Sequence, residues 1–160
     1  MARSWDMDHP TPEAFVAVED ADKRSTLISA TCTTSWFDWI HGELWLCPNG
    51  LLRRSLGLVA TLRHGGGPTL DTSNRPTRVF TQVEIDQIVA RGRRNRWIPW
   101  SAITKATLKR GIVDHSLHIE LGDRRREKFI WLQVDGGWDT LVHALTVALP
   151  GRFIVHNEPV

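Results

Sequence analysis

The sequence predicts a mostly β domain with helical additions, an α+β fold of antiparallel strands. Three observations predict it: short segments in which apolar and polar residues alternate, strong turn signals between them, and one amphipathic helical stripe near the C-terminus. A chain of 160 residues with 41% hydrophobic and 24% charged positions lies in the ordinary globular range, which excludes a disordered tail, a collagen-like fibre and a disulfide-stapled miniprotein. Residues 1–24 read as a polar arm, with Pro10, Pro12 and the acidic run Glu19, Asp20 and Asp22, and residues 25–155 as a single domain.

The first strand is expected over Thr26 to Thr34, uncharged and rich in β-branched residues. A loop from Ser35 to His41, holding Trp36, Phe37 and Trp39, leads to a second strand over Gly42 to Cys47. Pro48-Asn49-Gly50 is a turn signal in which Asn and Gly supply positive φ, so Leu51 to Leu56 returns antiparallel. His64-Gly65-Gly66-Gly67-Pro68 opens a polar loop that runs to about Arg78. An inserted helix is predicted near 81–91: Thr81 caps it, Glu84 completes a capping box, Phe80 and Ile85 form a hydrophobic staple, and Gly92 stops it. Further strands follow over Thr104 to Arg110, Leu117 to Leu121 and Glu127 to Val134, the last two joined by a hairpin turn beginning at Gly122-Asp123. The closing helix carries Trp138, Leu141, Val142, Leu145 and Leu149 on one stripe, with Asp135 and Asp139 placed to cap its start and Pro150-Gly151 to end it.

Charge and aromatic content are both uneven. There are 8 Trp and no Tyr, and 16 Arg against 4 Lys. Residues 91–128 hold 11 of the 20 basic groups and 4 of the 18 acidic ones. Such clustering creates a local positive potential suited to anionic partners, and the planar guanidinium matches carboxylate or phosphate. The candidate anion- or partner-binding set is Arg91, Arg93, Arg94, Arg96, Lys109, Arg110, Arg124, Arg125 and Arg126. Trp36, Phe37 and Trp39 cannot all point inward from a short loop and form a candidate aromatic contact surface. Trp45, Trp131 and Trp138 are assigned to the core. Two cysteines, Cys32 and Cys47, are too few for a disulfide framework, and Met1 to Pro10 lacks the apolar core of a secretory signal. The expected location is the cytoplasm, including its membrane periphery.

The segments 42–52 (GELWLCPNGLL), 98–106 (IPWSAITKA), 117–123 (LHIELGD) and 129–131 (FIW), with the closing amphipathic helix, resemble the pleckstrin-homology-like superfamily, particularly its bacterial and GRAM-like branches. The resemblance implies a strongly bent antiparallel barrel of about seven strands, one open end of which is capped by the C-terminal helix. Lipid-binding members hold phosphoinositide headgroups with basic residues of the first loop. Here Thr33 to Glu43 contains no Lys or Arg and does contain Asp38 and Glu43, so that site is not carried over.

No catalytic motif emerges. His64 to Gly67 matches the oxyanion motif of esterases, yet no Gly-x-Ser-x-Gly nucleophile elbow exists. Asp114, His115 and His118 lack the tight ligand set of a metal site. The sequence thus suggests a non-enzymatic module without cofactor or metal, engaging a protein partner or a second copy of itself through the aromatic loop or the basic face. The alternative is a peripheral binder of anionic surfaces, acidic lipid ahead of nucleic acid, because the basic stretches, apart from Trp97, lack interleaved aromatics for base stacking.

Overall fold

The computed structural model describes residues 23–35, 40–57 and 70–157. The polar arm up to Asp22, the aromatic loop residues Trp36, Phe37 and Trp39, and the glycine-rich run at 64–67 lie outside the described residues.

Two sheets form around β-branched and alternating segments. The first contains β1 (Arg24–Cys32), β2 (Gly42–Cys47), β3 (Gly50–Ser55), β4 (Thr77–Val79) and β5 (Arg96–Pro99), in the order β4-β1-β2-β3-β5. The second contains β6 (Ile103–Arg110), β7 (Asp114–Leu121), β8 (Arg126–Leu132) and β9 (Phe153–His156), in the order β8-β7-β6-β9. Every pairing is antiparallel except that of β9 with β6. Helix α1 (Gln82–Ala90) lies between β4 and β5, and helix α2 (Trp138–Ala148) between β8 and β9.

The mostly β, α+β class therefore holds, but among the described residues the strands number nine rather than about seven and no ladder closes them into a barrel. Beyond the six segments read as strands in the sequence stand β4, β5 and β9, all short and all at sheet edges. Among the described residues the sheets meet at one bridge, between Thr33 and Ile130, with N–H to carbonyl distances of 2.8 and 2.9 Å. Inward residues of both sheets share one core with α2, whose Leu141 and Leu145 are fully buried, as is Leu149 just beyond it. This is the burial expected of the leucine stripe. A smaller core gathers Leu27, Trp45, Leu52, Ile85 and Ile88 under α1.

The inserted helix matches its sequence signals. The Thr81 hydroxyl accepts from the Glu84 N–H at 3.2 Å, and the Glu84 carboxylate accepts from the Thr81 N–H at 2.9 Å. Phe80 packs against the smaller core and meets Trp45 edge-on at 5.2 Å.

Two local expectations are corrected. The hairpin at Pro48-Asn49 forms, but neither Asn49 nor Gly50 has positive φ. Gly50 is required by crowding instead: a Cβ there would stand 2.4 Å from the Ile98 carbonyl oxygen of β5. Asp135 does not cap α2, whose N-cap is Gly137 with no side-chain cap. The Asp135 side chain turns into the core and accepts from Ser29 at 2.5 Å and Thr31 at 2.7 Å, because a buried carboxylate needs donors more than the exposed helix start does.

Candidate anion-binding site

The turn 91–95 between α1 and β5 carries three exposed arginines, Arg91, Arg93 and Arg94. Buried side chains hold this turn in place. The Asn95 carboxamide accepts from the Ser55 N–H at 2.7 Å and donates to the Ile88 carbonyl, tying the turn to β3 and α1. Arg53, fully buried, donates to the carbonyls of Arg94, Ile40 (3.0 Å) and Cys32 (3.4 Å). Arg96 folds back onto the carbonyls of Arg93 and Asn95. A turn fixed at this many points presents its charges in one arrangement, which lowers the ordering cost of binding.

Between this turn and the end of β3 lies a cleft of about 370 Å³, lined by Arg54, Arg91, Arg93, Arg94 and Asn95. Arg54 also stands 3.7 Å from Glu43, the nearby carboxylate that partly balances it. Arg96 links the cleft to the second sheet, its guanidinium 3.3 Å from Glu127 of β8. Next to Glu127 are Arg126 and the hairpin turn with Arg124 and Arg125. Arg125 is held by Asp123 at 2.5 Å, and Arg124 adopts the left-handed region at φ 66°. The structure thus brings the 91–96 and 124–126 arginines toward one end of the molecule.

It does not bring Lys109 and Arg110 there. Both lie at the other end of the second sheet, where β6 turns into β7. This separates them from the anion-binding set predicted as one, because the 8-residue ladder of β7 stands between the two turns. His115 points into the core and His118 to the outer face, three residues on along an alternating strand. Among the described residues no group of three or more His, Cys, Asp or Glu could hold a metal ion, and no helix is long and apolar enough to cross a membrane.

Sequence reasoning missed Arg53, Asn95 and Arg75. Arg53 shares its strand face with fully buried Leu51, and that parity was the available signal. Arg75 donates to the carbonyls of Leu27 (3.0 Å), Ile28 (2.9 Å) and Asp135 (2.6 Å), closing a buried polar knot around Asp135. Burial lowers the Arg75 pKa, and the Asp135 charge opposes that shift. Nothing local in the sequence pairs these positions. Compared with known proteins, the chain matches no family model and no curated protein significantly.

Proposed function

We propose that this protein is a non-enzymatic binding module, built on a pleckstrin-homology-like scaffold, that holds an acidic segment of a protein partner in the arginine-lined cleft. The observation that carries the reading is the Arg96–Glu127 ion pair, which ties the turn of Arg91, Arg93 and Arg94 to the strand beside Arg124 to Arg126. A pinned, multi-arginine cleft suits carboxylates, which accept paired donors from guanidinium groups. The two-sheet core covered by α2 supports the scaffold half of the proposal, with the two sheets as halves of a bent barrel. Cys32 and Cys47, buried and not joined in a disulfide, fit a reducing compartment such as the cytoplasm. A second copy of the chain is one acceptable partner, since it offers the acidic run Glu19, Asp20 and Asp22.

The test replaces Arg91, Arg93 and Arg94 together by Ala and measures binding of a glutamate-rich peptide by calorimetry, with solution mass recorded in parallel. Binding at least tenfold weaker in the variant, and weaker in the wild type as salt rises, supports the reading. Equal affinity in both proteins overturns it. A wild-type cleft that takes inositol phosphates and ignores the peptide overturns its protein-partner half.

A further inference from the structure

Three strongly exposed aliphatic side chains lie together at one end of the second sheet, whereas Val83 and Val147, similarly exposed, stand apart on the two helices. Ile112 is 72% exposed and Val113 68% exposed, side by side at the tip of the β6–β7 hairpin. Val134, 69% exposed, lies in the adjoining turn, which the Gln133 N–H ties to the Val113 carbonyl at 2.9 Å. Gly111 makes the hairpin turn tight: a Cβ there would stand 2.2 Å from the Asp114 carbonyl oxygen. The aliphatic groups therefore project from a compact knuckle, where Ile112 and Val113 also form the rim of a shallow recess.

Three cations and a histidine lie beside the knuckle. A recess of about 420 Å³ beside it is lined by Lys109, Arg110, His118 and Lys128, with Asp114 as its one carboxylate. His118 and Lys128 are cross-strand neighbours, and Lys109 lies on the same outer face of the sheet. Burial, then Lys128 and Lys109, lower the His118 pKa, a sign that the three groups crowd one site.

From this juxtaposition we infer that the 110–113 end of the second sheet docks on an anionic lipid bilayer, the aliphatic tip entering the headgroup region while the lysines and Arg110 meet lipid charge. Soluble surfaces rarely cluster projecting aliphatics, and a protruding aliphatic tip with a cationic collar complements a soft, negatively charged surface on both counts. This surface is at the opposite end of β7 from the arginine cleft and does not depend on the reading given to that cleft.

Flotation of the full chain with vesicles of phosphatidylcholine containing roughly one third phosphatidylserine, against pure phosphatidylcholine, tests the inference. The wild type is expected on the anionic vesicles only. The surface variant Ile112→Asp with Val113→Asp is expected to bind at least tenfold more weakly, and Lys109→Ala and Lys128→Ala to lose about fivefold each. Val113→Cys, labelled with an environment-sensitive fluorophore, should shift to the blue on anionic vesicles, a readout that does not rely on a charge-bearing variant. Failure of the wild type to float with the anionic vesicles, or equal binding by the double Asp variant, overturns the inference. So does capture of the glutamate peptide by Lys109 and Lys128 without vesicle binding. The triple arginine variant keeps its vesicle binding, so the two readings fail separately.

Discussion

His115 is 2% exposed, with its ring 5.0 Å from that of Trp138 and 5.8 Å from that of Trp131. Its Nδ1 has no hydrogen-bond partner among the described residues. Burial lowers its pKa, Arg110 adds to the effect and Asp114 opposes it. A histidine whose folded pKa lies below the ordinary 6.5 is protonated less readily in the native chain than in the unfolded one. Stability is therefore complete above that value, falls as pH drops through it, and stops falling once both states are charged. His118, also lowered, acts in the same direction. His115→Phe keeps a ring between the two tryptophans and removes the orphaned nitrogen. Thermal melts at pH 7.5 and pH 5 should show a smaller loss on acidification in the variant than in the wild type; an equal loss would assign the pH dependence to other groups. The buried Asp135 knot is the second residue-scale case. Asp135→Ala leaves the Ser29 and Thr31 hydroxyls without their shared acceptor, and denaturant unfolding should show a loss of about 1–3 kcal/mol.

Elements with local signals were legible, and elements made by distant partners were not. The capping box of α1 and the leucine stripe of α2 lie within one or three helical turns of themselves, so sequence alone locates both helices. Strands β4 and β9 are 3 and 4 residues long and exist because β1 and β6 offer free edges. No alternation of their own announces them, and the separation of Lys109 from the arginines follows from a topology that spacing does not encode. Strand β5 is the instructive case, since it presents Arg96 and follows the arginine turn. It can lie against β3 only because Gly50 lacks a side chain. Gly50→Ala should cost about 1–3 kcal/mol by overpacking and weaken peptide binding in the cleft as well, the two measured by unfolding and calorimetry. Arg124 tests the opposite sign. Its φ of 66° is a conformation glycine adopts freely, so Arg124→Gly should raise stability by about 1 kcal/mol while reducing anion binding. A binding-neutral Arg124→Gly would remove the hairpin from the site.

At the scale of the whole molecule, a net charge of +2 conceals two positive ends on one short axis. The arginine turns sit at one end of β7 and the aliphatic knuckle with its lysines at the other, separated by 8 residues of strand. At about 3.3 Å per residue this is roughly 26 Å. At 0.15 M salt the screening length is about 8 Å, so charge neutralised at one end is scarcely felt at the other. Protein bound to anionic vesicles should then take up the glutamate peptide with an affinity within about twofold of the free protein, as expected of sites too far apart to couple. At 0.01 M salt the screening length grows to about 30 Å and spans the molecule. Each anionic ligand then cancels part of the potential that draws the other, and peptide and vesicle should compete weakly although they touch no common residue. Peptide titration of vesicle-bound protein at the two salt concentrations reads this directly. Competition that persists at 0.15 M would mean that both ligands occupy one surface, and the division of the molecule into two binding ends would be wrong.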